Sequence, residues 1–375
     1  MTLYRRPFPE VREILLQRAR LHRNPMEFVP EARAAAVLDR LQTLDRDAWA
    51  AAFMEAAQPF WQAGLEAEAA GDLERARSSF LDAYGLFRVA RYPAPNSPKK
   101  LEAYRWSQQA YLRQSRLGPN PVERVAIPYL GRLAPPESAI IGYLRKPDTD
   151  GPVPLVIQWG GIDSFKEDRH GEIYLEQGWA VLAVDMPGVG DAPIPGSEQA
   201  EELWTGIFHW VRERADLDAE RVAVVGASTG GYWATKLAHT HRQYLAAAVN
   251  HGGPAHHAFQ PDWIRRAAQG EYPFELAETL ASAFDRSTAE EWLEYAPRLS
   301  LLEQGVLDQP CAPLLCLNGV EDSIFPVQDM YLLLEHGAPK VMRLYPGGHM
   351  GHHPDLFPTL VAWLRQYLNP PQACP

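Results

Sequence analysis

The strongest chemical signal in the chain is the pentapeptide Gly226-Ala227-Ser228-Thr229-Gly230, preceded by the strand-like text RVAVV and followed by the helix-like text GYWATKLAHTH. A G-x-S-x-G match alone recurs by chance. Between a strand and a helix it means more, because the glycines permit a sharp turn that lifts the serine hydroxyl clear of the backbone. A serine hydroxyl is a weak nucleophile at neutral pH and needs an imidazole to take its proton; the imidazole needs an acid to fix its tautomer and stabilise its charged form. An acid and then a histidine should therefore follow. The strand-like APLLCLNG runs into Val320-Glu321-Asp322-Ser323-Ile324-Phe325-Pro326, and the strand-like KVMRLYP runs into Gly347-Gly348-His349. Ser228, Asp322 and His349 thus read as a catalytic triad, and these partners outweigh the plainer reading of Ser228 as a helix N-cap.

Two choices inside that reading rest on local chemistry. Glu321 neighbours Asp322, but the four-residue step from Asp322 to Pro326 and the shorter side chain suit a sharp acid-bearing turn. Of the twelve histidines, His349 follows the last strand-like run within a glycine turn, whereas His352 and His353 suit a helix start or the surface. His251, His256 and His257 follow the sixth strand-like run, and His251 is a candidate for lining a substrate pocket; a satisfied core histidine is the plainer alternative. A tetrahedral intermediate also needs an oxyanion hole. Thr229 should donate one backbone N–H, and the turn Trp159-Gly160-Gly161-Ile162 should donate the other from Gly161 or Ile162. Asp185-Met186-Pro187-Gly188-Val189-Gly190 reads as a structural turn at the same edge.

These groups need a scaffold. Eight β-rich runs, VERVAIPY, SAIIGYLRKP, PLVIQWGG, AVLAVDMPG, RVAVVGAS, AAAVNHGG, APLLCLNG and KVMRLYPGG, alternate with helical text at 199–215, 230–240, 327–336 and 355–368. Several runs are continuously apolar, as strands buried on both faces must be, so the fold class is α/β with a mostly parallel, doubly wound sheet and right-handed crossovers. The active site of such a sheet lies at the carboxyl ends of its strands. Residues 255–305 interrupt the alternation with Trp263, Phe274, Phe284 and Trp292 at helical spacing and read as an inserted cap.

Residues 1–120 have a different character. EARAAAVLDRLQTL, RDAWAAAFMEAAQPFWQAGLEAEAAGD and LERARSSFLDAYGLFRVARY repeat apolar residues every three or four positions, with Asp72 placed as an N-cap; Pro93, Pro95 and Pro98 then interrupt the pattern before a helix at 99–116. This is an all-helical module, and the catalytic domain spans 121–375. The text AEAAGDLERARSSFLDA resembles one tetratricopeptide-type helix pair, and one pair makes no solenoid.

A length of 375 residues with 46% hydrophobic content allows one full domain plus a substantial module. The net charge of -11, with basic residues scattered among acids, argues against a nucleic-acid partner. No apolar run approaches membrane-spanning length and the first twenty residues bear charges throughout, so the expectation is a cytoplasmic protein with no membrane partner. Cys311, Cys316 and Cys374 lack metal-type spacing and read as structural thiols. No metal and no cofactor is expected.

The turn Gly160-Gly161-Ile162-Asp163-Ser164-Phe165-Lys166-Glu167, the DMPGVG turn, GASTGG, the Asp322 loop and the GGH end together resemble the α/β-hydrolase family of 2,6-dihydroxypseudooxynicotine hydrolase, FrsA-like esterases and fungal polyketide-shortening hydrolases. The resemblance covers nearly the whole chain. It implies an α/β-hydrolase fold whose N-terminal helical module is a lid over the triad, and in several members hydrolysis of a carbon–carbon bond beside a ketone. It places Asp163 near an additional acidic residue of one such enzyme, although a turn salt-bridged to Lys166 accounts for Asp163 equally well. Within the lid, Tyr84, Tyr92 and Tyr104 are candidates for a pocket holding a flat or bulky group, with core packing as the alternative, and Trp159 is a further substrate-binding candidate.

The expected function is a serine hydrolase acting through an acyl-serine on a small-molecule carbonyl compound. Carbon–carbon hydrolysis of a ketone or β-diketone-like substrate is the first expectation, a carboxylic ester the alternative. A non-catalytic binding protein on the same fold is the rival from another class. A homodimer is an assembly this composition allows.

Overall fold

A computed structural model describes residues 4–337 and 340–369; Cys374 lies outside them. The chain divides into two compact units. One holds Tyr4–Val122 together with Pro273–Glu275; the other is built from Glu123 onward without those three residues.

The first unit is all helical: α1 (Phe8–Arg20), α2 (Glu31–Leu38), α3 (Arg46–Ala69), α4 (Leu73–Ala90) and α5 (Pro98–Arg116). Helix α3 begins where Asp45 accepts the Ala48 N–H at 2.9 Å, and α4 where Asp72 accepts the Arg75 N–H at 3.2 Å. The helical text expected over 31–44 stops at Leu38, because Thr43 Oγ1 accepts the Asp45 N–H and sets up that cap, diverting the backbone from the helix ladder. Helices α3 and α4 pack closely enough that a Cβ on Gly64 would stand 2.6 Å from the Phe80 ring. Pro273–Glu275 bring Phe274 to 5.3 Å from the Trp49 ring and Glu275 to 2.9 Å from Arg46, so a piece of the inserted segment is part of this unit's interior.

The second unit is built on eight strands: β1 (Glu123–Pro128), β2 (Ala139–Arg145), β3 (Val153–Trp159), β4 (Ala180–Val184), β5 (Leu217–Ala227), β6 (Ala247–His251), β7 (Leu314–Gly319) and β8 (Lys340–Tyr345). Their order is β1-β2-β4-β3-β5-β6-β7-β8, with β2 antiparallel to both neighbours and all remaining pairs parallel. This is the expected mostly parallel, doubly wound sheet. Strands β3, β4, β6 and β7 are buried at every residue, which is why their text is continuously apolar, whereas the edge strand β1 alternates. The crossovers carry α7 (Leu203–Glu213), α8 (Gly230–Thr240) and α12 (Val327–Glu335), and α13 (Leu356–Leu368) follows β8. Between β3 and β4 the one α-helix, α6 (Glu172–Leu175), is four residues long. On one face Leu315, Val249, Trp363 and Leu364 share a buried cluster that clamps α13 to the sheet.

The segment between β6 and β7 forms α9 (Pro261–Ala267), α10 (Leu276–Ala283) and α11 (Ala289–Tyr295). Its start is pinned by Asp329 of α12, a fully buried carboxylate that accepts the backbone N–H groups of Ala255, His256, His257 and Ala258 at 2.7–3.2 Å. No helix among the described residues is long and apolar enough to cross a membrane.

Candidate active site

Strands β3, β5, β6, β7 and β8 end side by side, with Trp159 registered on Gly226 and Ala227 on His251. At the end of β5 Ser228 holds φ +54°, a conformation an L-residue occupies only where its surroundings enforce it. Three features enforce it here. The Ser228 N–H donates to His251 O at 2.8 Å, and the Gly231 N–H donates to Ser228 O at 2.7 Å. The turn closes so tightly that a Cβ on Gly226 would lie 2.1 Å from Gly230 O and one on Gly230 would lie 2.3 Å from Gly160 O, which accounts for both glycines of the pentapeptide.

His349 Nε2 lies 2.8 Å from Ser228 Oγ, and His349 Nδ1 lies 2.8 Å from Asp322 Oδ2. An ionised carboxylate only accepts, so Nδ1 carries the proton and Nε2 is left to accept from the serine hydroxyl. Asp322 is buried and its other contacts are all donors: Asn318 Nδ2 at 2.9 Å to Oδ2, and the Ile324 and Phe325 N–H groups at 2.8 and 2.9 Å to Oδ1. Glu321 is exposed, consistent with the choice of Asp322. Burial opposes a charge on His349, but the adjacent Asp322 carboxylate, aided by Glu271 and Asp163, outweighs it and holds the imidazole pKa above its ordinary value.

Gly161 stands across from the serine. A Cβ there would lie 2.9 Å from Ser228 Cβ, 3.0 Å from Ser228 Oγ and 3.3 Å from Thr229 N. The bare Cα of Gly161 therefore keeps open the space bounded by the serine oxygen and the Thr229 N–H. Ile162 continues the same buried turn.

The remaining nominated residues fall elsewhere. Trp159 is fully buried, donates its indole N–H to Gly230 O at 2.8 Å and packs on Trp204 at 4.7 Å; it braces the elbow from beneath, which corrects its nomination as a substrate contact. His251 is likewise a brace. Its Nε2 lies 2.8 Å from Met350 O, and burial pushes its pKa down to about 4, so it is a neutral imidazole donating to the histidine loop. Tyr84 packs between Phe28 and Tyr111, Tyr92 against Phe274, and Tyr104 under Arg91. All three are buried in the interior of the helical unit, where aromatics at helical spacing fill the gaps between helices. Asp163 is buried and close enough to His349 to raise its pKa. Lys166 is fully buried and pairs with Glu167, Asp185 and Asp191 at 2.7–3.0 Å, making the DMPGVG turn a structural anchor. His353 caps the entry to α13 and stacks on Tyr345.

Two positioning groups left no local mark in the sequence. Asn318, fully buried at the end of β7, donates to Asp322 and accepts the Gly319 and Met350 N–H groups at 2.8 and 3.0 Å, joining the acid loop to the histidine loop. Glu271, from the inserted segment, accepts the His349 N–H at 2.9 Å and the Ser323 hydroxyl at 3.1 Å. Neither belongs to a motif; only the three-dimensional proximity of separate loops exposes them.

A cavity is lined by Thr229, the residue after Ser228, by Phe259, Leu280 and Trp292 of the inserted segment, and by Ile324 and Phe325 of the acid loop; Ser228 and His349 are not part of its wall. Phe325 also meets the His349 ring edge-on at 5.4 Å. Among the described residues no cluster of three or more His, Cys, Asp or Glu side chains is arranged to hold a metal. Cys311 and Cys316 are buried and in no disulfide, and burial pushes the Cys316 pKa up to about 12.

The family model of FrsA-like esterases matches residues 37–343. Among curated relatives, the hydrolase LUC6 of Fusarium sp is 30% identical over 58% of this chain and 55% of its own length. Esterase FrsA of Photobacterium profundum is 24% identical over 80% of this chain and 71% of its own. The chain thus spans about half the length of the first of these relatives. The crystal structure of 2,6-dihydroxy-pseudo-oxynicotine hydrolase superposes with a TM-score of 0.73 at 23% identity, covering 90% of this chain and 92% of that one, a likeness of the α/β-hydrolase fold.

Proposed function

The chain belongs to the FrsA-like esterase family, and from that premise we propose that it is a serine hydrolase that cleaves a carbonyl compound through an acyl-serine intermediate on Ser228. The single observation that carries this reading is the unbroken relay from Ser228 Oγ through both His349 nitrogens to Asp322, with 2.8 Å at each step. His349 Nε2 takes the hydroxyl proton as Oγ bonds to the carbonyl carbon, and the carbonyl π pair moves onto its oxygen. Thr229 N–H and the Gly161–Ile162 turn receive that oxyanion. The electron pair returns, the bond to the leaving atom breaks, and the leaving atom takes the proton from His349. Water then gives a proton to His349 and its oxygen to the acyl carbon, and Ser228 recovers its proton as the Oγ–carbon bond breaks. The net reaction adds one water across the cleaved bond.

The leaving atom is a carbon in the first reading, expelled as an enolate from a ketone or β-diketone-like substrate. The likeness in fold to 2,6-dihydroxy-pseudo-oxynicotine hydrolase supports it. Ester hydrolysis is the second reading, supported by the match to FrsA-like esterases. The triad itself does not choose, since it meets the acyl carbon in both. The substrate is a small carbonyl compound, and the N-terminal helical unit is assigned the part of lid.

Intact-mass measurement of wild type and Ser228→Ala after a fluorophosphonate tests the nucleophile, and a paired assay on an aryl ester and an aromatic β-diketone tests the leaving group. Labelling and turnover that both depend on Ser228 are expected. Folded wild type that neither labels nor turns over either substrate would overturn the reading in favour of a non-catalytic binding protein.

A further inference from the structure

Met350, the residue after the base, holds φ +67°, a left-handed conformation that glycine adopts freely and a residue with a β-carbon rarely does. The β-carbon disfavours it by a population factor of about five to thirty, so contacts from outside the residue must hold it. Three consecutive peptide units around His349 are each bonded to one side chain, and each side chain comes from a different part of the chain. Glu271 of the inserted segment accepts the His349 N–H at 2.9 Å. Asn318, at the end of β7, accepts the Met350 N–H at 3.0 Å. His251, at the end of β6, has its Nε2 2.8 Å from the Met350 carbonyl oxygen.

His251 differs from the other two in what it joins. A carbonyl oxygen only accepts, so Nε2 carries the ring proton and donates it. The backbone carbonyl of His251 meanwhile accepts the Ser228 N–H at 2.8 Å. One residue therefore holds the nucleophile's turn by its main chain and the base's loop by its side chain. The two loops meet closely here: a Cβ on Gly252 would lie 2.8 Å from Met350 Cγ and 3.2 Å from Met350 Cα. His251 is buried, so bulk water does not compete for the bond.

Resting on the serine-hydrolase reading above, we propose that His251 is a positioning residue of the triad: its Nε2–H, bonded to Met350 O, keeps Met350 left-handed and so keeps the His349 imidazole aimed at Ser228 Oγ. Glu271 and Asn318 pin the peptides on either side of the His349 Cα, and the φ of Met350 decides whether the second of these peptides can stay on Asn318 while the chain runs on into Gly351. Without the donor, Met350 relaxes toward the conformations open to an L-residue, the 349–350 peptide turns, and His349 Nε2 leaves its 2.8 Å contact with Ser228 Oγ. Misalignment of the base slows proton transfer and leaves substrate binding alone, so the loss falls on kcat and not on KM.

The test is a double-mutant cycle on the full chain with an aryl ester, read as kcat, KM, the rate of fluorophosphonate labelling of Ser228, and Tm. His251→Leu removes the donor and keeps the Ser228 N–H bond, which the main chain makes. In that variant kcat and the labelling rate should fall together by about five- to thirty-fold, the factor by which a β-carbon disfavours the left-handed form, while KM holds. His251→Met, closer in volume to the ring, carries the same expectation where the leucine variant does not fold. His251→Gln, whose amide nitrogen stands as many bonds from Cβ as Nε2 does, should recover most of the loss. In a Met350→Gly background the left-handed form carries no penalty, so removing the donor there should cost about two-fold or less. Folded donor-less protein with kcat within about two-fold of wild type, no recovery by glutamine, or an equal loss in both backgrounds would overturn the positioning role while the nucleophile stands. Folded wild type that neither labels nor hydrolyses the ester would instead overturn the hydrolase reading itself.

Discussion

Replacing Gly161 by alanine tests the oxyanion geometry with one carbon atom. The new Cβ would lie 3.0 Å from Ser228 Oγ and 3.3 Å from Thr229 N. An oxyanion held by the Thr229 N–H must sit about 2.7–3.1 Å from that nitrogen, in the space the methyl takes. Methyl and oxyanion therefore compete, and the ground state feels the competition less than the transition state. Losing one oxyanion donor costs about 10²–10³ in kcat, and the same loss is expected here, with KM changed far less. Overpacking a buried site costs about 1–3 kcal/mol, a fall in Tm of several degrees for a unit of this size. The catalytic loss is therefore measured well below the transition. Gly160→Ala is the control for bulk alone, because its Cβ would meet the Ser164 carbonyl oxygen at 2.0 Å, a backbone atom with nowhere to go. That variant should fail through stability. Steady-state kinetics on an aryl ester, paired with thermal melts of both variants, decides the matter. A folded Gly161→Ala enzyme with kcat within about three-fold of wild type would refute the placement of the oxyanion between Gly161 and Thr229.

Three further outcomes follow from the electrostatics. Glu271→Gln removes a negative charge that raises the His349 pKa; since His349 must be neutral to act as base, the acid limb of the kcat/KM profile should move to lower pH, and an unmoved limb would show that Glu271 serves only to hold the loops. His239, His241 and His251 have pKa values pushed down to about 4 by burial, so the unfolded chain binds more protons than the folded one as pH falls from the ordinary value of 6.5. Stability should then fall between pH 6.5 and 4, with fully buried His251 alone contributing about 2 kcal/mol of the loss at pH 5; denaturant titrations at pH 7 and 5 that give equal stabilities would contradict this. Lys100 has its pKa lowered to about 8, first by burial, against the partial compensation of Glu275 at 3.9 Å. Lys100→Met removes a charge whose burial costs about 3 kcal/mol at pH 7 while Glu275 keeps Arg46. The variant should melt at higher temperature; a lower one would mean that the Glu275 attraction outweighs desolvation.

What the sequence made legible follows from how far each interaction reaches along the chain. The eight strands and the four flanking helices were readable because burial on two faces or one writes itself into consecutive residues. Ser228, Asp322 and His349 were readable because each occupies a turn directly after a strand, and a parallel sheet brings all its strand ends to one edge. Relations between separate loops leave no such trace. Glu271 and Asn318 hold the histidine loop by accepting the backbone N–H groups of His349 and Met350, and any backbone offers the same N–H, so no residue type in that loop marks the contact. The same blindness misdirected Trp159 and His251, which were nominated for standing at strand ends, as residues that touch substrate do. Residues that brace the elbow from behind stand there too, and they differ only in which way the side chain leaves the strand. For Trp159 that direction is settled by Gly226 and Gly230. The Cβ atoms they lack would each lie 2.9 Å from the Trp159 indole nitrogen, so the pentapeptide's glycines serve the buried indole as much as the serine. An alanine at Gly230 should accordingly dislodge Trp159 along with Ser228, and lower stability as well as activity.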